Sequence, residues 1–143
     1  MTAIEALDAH DALQCKLTLE DWKKVAPYLN LRFLNTGDYL TTEGDQSREL
    51  YILAEGVLEV RIRNTVVATL KPGTVVGEGT FFSGHTRSAT VVAVSPGVAW
   101  ALAWEKFEVM SKQHPRLALD LCRSIAAVMA VRMREAVLVG HFA

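Results

Sequence analysis

The chain has 143 residues, half of them hydrophobic and 22% charged, which fits one domain with a buried core. Its net charge of −1 supplies no overall drive toward nucleic acid or an anionic membrane. The acidic segment 1–8 lacks the basic start of a secretory leader, and the uncharged run 89–104 is too short to span a bilayer and is broken at Ser95-Pro96-Gly97.

In chain order, residues 3–13 read as a short helix with Ile4, Leu7 and Leu13 roughly on one side. Thr18-x-x-Asp21 then reads as a capping box, with aspartate in place of the usual glutamate. The helix after it puts Leu19, Trp22, Val25, Ala26 and Leu29 on one face, and Pro27 predicts an irregular or early end. From Leu31 the period changes. Gly37-Asp38, Glu43-Gly44-Asp45, Glu55-Gly56, Asn64-Thr65, Pro72-Gly73 and Pro96-Gly97 punctuate short β-rich runs. Leu58, Val60 and Ile62 alternate with Glu59, Arg61 and Arg63, the mark of a strand with one wet face. Runs over 66–70, 74–76, 88–94 and 97–103 complete a set that predicts a sandwich or roll. A short helix follows from Trp104 to near Gln113, and Pro115 opens a long one reaching about Val139. The expected organisation is a single domain over 1–143, with N-terminal helices in 1–30, a roll in 31–103 and C-terminal helices in 104–140.

The stretch from Gly77 to Val91 carries the chemistry. Glu78 and Arg87 stand at the two ends of a short Gly-rich turn with apolar β-formers on either side. A glutamate accepts hydrogen bonds from sugar hydroxyls, and an arginine holds two oxygens of one phosphate in a fork. Ser88 and the backbone N–H groups near it, Ala89 included, add donors. Gly77 and Gly79 let the backbone approach a ligand, and a helical turn over Thr80 to Ser83 would aim further N–H groups at an anion. A ligand needing a hydroxyl acceptor beside a monoanionic phosphate clamp is a cyclic nucleotide. Other chemistries find little support. Cys15 and Cys122 show no metal spacing and read as two thiols of a reducing compartment. His10, His85, His114 and His141 are dispersed, and no nucleophile elbow or Walker sequence is present. No catalytic or metal-binding residue and no cofactor are therefore expected.

Gly77-Glu78, Phe81 and Arg87-Ser88-Ala89-Thr90-Val91 resemble the phosphate-binding cassette of the cyclic-nucleotide-binding domain family. Gly37, Leu40, Glu43-Gly44-Asp45, Leu50-Tyr51-Ile52, Gly56 and Pro72-Gly73 follow that family's order, so the resemblance covers about three quarters of the chain. Thr80 replaces the usual small residue and Val76 a common aromatic; neither change removes a ligand-contacting group. The resemblance implies an α+β, mainly β, fold: an eight-stranded β-roll or jelly roll with N-terminal helices and two C-terminal helices, the last one long. It implies a ligand-binding set of Gly77, Glu78, Gly79, Thr80, Arg87, Ser88 and Ala89. Within the family, threonine after the motif arginine tends to favour cyclic GMP, so Ser88 leans toward cyclic AMP.

The last helix is apolar over most of its circumference between Leu117 and Val131. A second stripe, Cys122, Ala126, Met129, Met133, Ala136 and Gly140, is spaced as a heptad seam and predicts a homodimer through this helix. Catabolite-activator-type regulators, which this chain resembles so far, continue into a DNA reader; here only Gly140 to Ala143 follow, so no DNA-binding part is expected. Continuing that resemblance without gaps places Arg132 and Met133 where the activator's long helix touches the adenine, and adds Arg132 to the ligand-binding set; the equal alternative is an exposed arginine at the edge of the dimer seam. The expectation is a stand-alone cytoplasmic sensor of cyclic AMP, or less favourably cyclic GMP. It would couple the ligand to the last helix and to dimer geometry, with no enzymatic activity and no nucleic-acid or membrane partner. The alternative is a degenerate roll that binds nothing and serves as a dimerisation or interaction module.

Overall fold

Thr18 caps α1 (Leu19–Val25) in this computed structural model, which describes residues 18–138. The predicted helix over 3–13, Cys15 and Gly140 lie outside the described residues. The capping box is complete. The Asp21 N–H donates to Thr18 Oγ1 at 3.2 Å, and the Thr18 N–H donates to Asp21 Oδ2 at 3.0 Å. The α-helical ladder then stops at Val25. Pro27 has no N–H to continue it, and Ala26–Tyr28 tighten into a 3-10 turn. The expected helical face is thereby corrected: Leu29 is the first residue of a strand and Leu19 is 57% exposed, leaving Trp22 and Val25 as the buried pair.

Eight strands follow: β1 (Leu29–Leu34), β2 (Tyr39–Thr41), β3 (Glu49–Glu55), β4 (Leu58–Ile62), β5 (Thr65–Leu70), β6 (Val75–Val76), β7 (Thr90–Ala93) and β8 (Gly97–Ala103). They form two four-stranded sheets, in the orders β1-β8-β3-β6 and β2-β7-β4-β5, and every pairing is antiparallel. This is the eight-stranded roll. A short helix, α2 (Glu78–Ser83), interrupts it between β6 and β7. Two helices close the described chain, α3 (Trp104–Gln113) and α4 (Pro115–Leu138).

The strand period of two divides the core. In β3, Leu50 and Ile52 point toward the helices, while Tyr51 and Leu53 point between the sheets. Val75 and Val76 of β6 split in the same way, as do Leu102 and Ala101 of β8. One cluster joins Trp22, Val25, Phe107, Met110, Leu121 and Ile125 to the first sheet; the other fills the roll with Leu34, Leu40, Leu58, Val91 and Ala99. Each fully buried Leu, Ile or Phe contributes about 1.5–3 kcal/mol relative to exposure. Because α4 presses Leu117, Leu121, Ile125 and Val128 onto the sheet carrying β6, it lies close to the loop that follows that strand.

Candidate ligand-binding site

Gly77 makes the turn from β6 into α2. It lies at φ +84°, in the left-handed region, and is the N-cap of α2. The helix opens at Glu78, two residues earlier than the turn expected from Thr80, because the left-handed glycine redirects the chain at once. Its first bond runs from the Phe81 N–H to the Gly77 carbonyl at 3.1 Å, which leaves the N–H groups of Glu78, Gly79 and Thr80 outside the helical ladder. Gly84, also left-handed, ends the helix with its N–H on the Thr80 carbonyl at 2.8 Å.

The chain then returns past Arg87, whose backbone is clasped on both sides. Its N–H donates to the Asp45 carbonyl at 2.6 Å, and its carbonyl accepts from the Gly44 N–H at 2.9 Å. The side chain turns inward and is 4% exposed. Nη1 donates to the Gly77 carbonyl at 2.9 Å and Nη2 to the Glu49 carbonyl at 2.6 Å. Nε is buried with no partner among the described residues. Burial pushes the Arg87 guanidinium below its ordinary pKa, opposed by the charges of Tyr51, Glu49, Glu78 and Asp45. A guanidinium starts so high that it stays cationic. Gly77 also makes room for it: a Cβ there would lie 2.3 Å from Arg87 Nη1 and 3.0 Å from the Glu49 carbonyl oxygen.

Glu78 leaves the first turn of α2 toward the same space. Its Oε1 accepts from Arg132 Nη1 of α4 at 3.1 Å, and Arg132 Nη2 donates to the Val75 carbonyl at 2.9 Å. Arg132 is therefore a half-buried clasp between α4 and the β6–α2 turn. The sequence reading allowed it a contact to a base; in the structure its partner is Glu78.

These groups surround one cavity of about 650 Å³. Gly77, Glu78, Gly79, Thr80, Arg87, Ser88, Ala89 and Arg132 all line it, with Ser88 at an exposed position. Its volume falls in the range of small-molecule sites, and an apolar wall beside a few convergent polar groups is their usual composition. That wall is Val60, Leu70, Val76 and Val91, with Thr41 beside it, none of which the sequence reading placed in the ligand-binding set. The signal for Val60 was its inward alternation on β4; β5, by contrast, is exposed along almost its whole length and hides its contribution. Among the described residues, no group of three His, Cys, Asp or Glu side chains is placed to hold a metal. No described helix is long and apolar enough to cross a membrane.

The family model for the cyclic nucleotide-binding domain matches residues 31–114. The chain belongs to the cyclic nucleotide-binding domain family. Domains of this family are regulatory ligand-binding modules. The chain is 29% identical to glutaminase 2 of Bradyrhizobium diazoefficiens over 85% of its own length and 20% of the enzyme's. Among solved structures, the catabolite activator protein of Thermus thermophilus superposes with a TM-score of 0.75 at 29% identity, covering 86% of this chain and 58% of the activator. The regulatory domain of Toxoplasma gondii PKA, co-crystallised with cAMP, superposes with a TM-score of 0.58 at 28% identity, covering 66% of this chain and 38% of that one. Three of the curated relatives that the chain matches are much longer, and it spans between 19% and 32% of their length.

Proposed function

We propose that this cyclic nucleotide-binding domain takes cyclic AMP into the cavity between α2, the β4–β5 hairpin and α4, and signals occupancy through α4. The observation that carries the reading is Arg87: an almost fully buried cation on the cavity wall, with Nε unpartnered among the described residues, beside the carboxylate of Glu78. A buried guanidinium with an unmet donor suits a monoanionic phosphate. Glu78 engages Arg132 through Oε1, and its second oxygen has acceptor sites of its own for a ribose hydroxyl. The N–H groups of Glu78, Gly79 and Thr80, with Ser88 and Ala89, supply the remaining donors. Val60, Leu70, Val76 and Val91 offer the base an apolar wall. Ser88 in place of threonine, and a relative solved with cAMP, favour adenine as that base.

The same reading gives α4 a second role. Leu117, Leu121, Ile125 and Val128 pack inward, while Ala126, Met129 and Met133 are exposed and Cys122 is half-buried. This outer stripe is the seam of a homodimer, and Arg132 lies on the same helix between the seam and the ligand. No reaction is assigned to the domain, and its place of action is the cytoplasm.

A second reading, a roll that binds no ligand and serves as an interaction module, has one observation on its side: Arg132 already engages the carboxylate meant for the ribose. Calorimetric titration of the wild-type domain with cyclic AMP, cyclic GMP and a cyclic dinucleotide separates the two. Tightest binding of cyclic AMP is expected. Tighter cyclic GMP overturns the choice of base, and absence of heat with all three supports the non-binding module.

A further inference from the structure

Arg48 lies just before β3 and grips the opposite end of α2 from the one that faces the cavity. Its Nε and Nη2 donate to the Phe81 carbonyl at 3.1 and 2.8 Å, and Nη2 also reaches the Phe82 carbonyl at 3.3 Å. These carbonyls belong to the last turn of α2, where the helix leaves acceptors unpaired and where cations are favoured. The guanidinium carbon of Arg48 sits 3.9 Å from the centre of the Trp104 ring, a cation–π stack. Trp104 is the first residue of α3, and its N–H donates to the Arg48 carbonyl at 2.9 Å. One residue thus touches the end of α2 through its side chain and the start of α3 through both its side chain and its backbone.

The next residue completes the arrangement. The carbonyl of Glu49 accepts from Arg87 Nη2 at 2.6 Å. Two consecutive residues therefore hold the cassette at two points, Glu49 through the phosphate-site arginine and Arg48 through the C-terminus of α2. On the same short helix, Phe81 packs edge-on against Trp104 and Phe107, with ring centres 5.2 and 5.5 Å apart. A group entering beside Arg87 takes up open donors of the same guanidinium that holds the Glu49 carbonyl. Any adjustment of that peptide or of α2 is passed to Trp104 through a flat, two-carbonyl grip.

We propose that Arg48 is a positioning residue that transmits occupancy of the cavity to α3, and through α3 to α4. The proposal rests on the cyclic-nucleotide reading of the cavity. Arginine is needed because a lysine ammonium cannot span two carbonyls while lying flat on an indole.

The test uses protein labelled with 5-fluorotryptophan, whose Trp104 fluorine resonance is assigned by Trp104→Phe, together with calorimetry of cyclic AMP binding. In wild type, saturating cyclic AMP is expected to move the Trp104 resonance. In Arg48→Met, which keeps the apolar stem, affinity should fall by about fivefold or less while the shift at saturation falls to about a quarter or less. Arg48→Lys should give an intermediate shift, and it replaces the methionine variant if circular dichroism shows that variant to be unfolded. A merely structural role for Arg48 would change affinity or stability and leave the shift at saturation as in wild type; that result overturns the proposal. So does a wild-type Trp104 resonance that stays still on saturation. No binding heat in wild type overturns the reading of the cavity itself, and with it the signal that Arg48 would carry.

Discussion

Arg132 on α4 and Glu78 on α2, 54 residues apart in sequence, meet at 3.1 Å on the wall of the same cavity. The pair makes the position of α4 part of the cavity wall. Any ligand that donates to Glu78 also interacts with the clasp that holds α4 to the Val75 carbonyl. By linkage, what α4 does to ligand affinity the ligand does to α4. Arg132→Ala is expected to weaken cyclic AMP binding roughly tenfold, or ~1.4 kcal/mol, and to remove the effect of cyclic AMP on self-association. Calorimetry paired with sedimentation checks both. Tighter binding in the variant would show instead that Arg132 is a plug the ligand must expel.

Gly77 has two constraints at once, a left-handed backbone and a neighbouring guanidinium. Gly77→Ala places a Cβ 2.3 Å from Arg87 Nη1 at φ +84°. A destabilisation of roughly 1–3 kcal/mol is expected, with loss of cyclic AMP affinity because Arg87 must shift. Urea unfolding and calorimetry of the same sample read the two effects. A variant with wild-type stability and affinity would mean that the Gly77–Arg87 contact relaxes freely.

The outer stripe of α4 gives a test of assembly. Ala126 is exposed beside Met129 and Met133, so Ala126→Glu should leave the fold intact and bring like charges together across a two-fold seam. Wild type is expected to sediment as a dimer at tens of micromolar and the variant as a monomer. A monomeric wild type would remove the seam from the account.

Tyr51 gives a pH signature. Burial, then the charge of Glu49, raises its phenol above the ordinary value, and Arg32 and Arg87 only partly oppose the rise. The folded chain therefore holds this proton more tightly than the unfolded chain does. The associated stability is present below the ordinary tyrosine range, near pH ~10, and is lost as pH rises through it. Tyr51→Phe should flatten the decline of stability above pH ~10 relative to wild type, as read by urea melts at a series of pH values. Parallel declines in the two proteins would contradict the assignment.

Much of this was legible because it is local. Thr18 and Asp21 spell a cap within four residues, Pro115 starts α4, and the glycines and prolines mark the strand ends. The cassette residues are close in sequence, and the structure gathers all eight named ligand-site residues around one cavity. What escaped is long-range or stereochemical. Nothing in the helical period of 19–29 says that Leu29 will pair with Leu102 rather than continue a helix; the sheet decides it. Arg48 stands among polar neighbours like any loop arginine, and its partners Phe81 and Trp104 are far along the chain. The pairing of Arg132 with Glu78 depends on how α4 lies against the roll, which no spacing encodes.

The account's central claim is that Arg87 is the anion clamp of a cyclic nucleotide site, and titration of wild type, Arg87→Ala and Arg87→Lys with cyclic AMP tests it most directly. Losing a buried charge-assisted partner typically costs roughly 2–5 kcal/mol. Arg87→Ala is therefore expected to show no binding at micromolar cyclic AMP while remaining folded by circular dichroism. Arg87→Lys should bind more weakly than wild type, because an ammonium cannot form the fork. Wild-type affinity in a folded Arg87→Ala domain would contradict the claim.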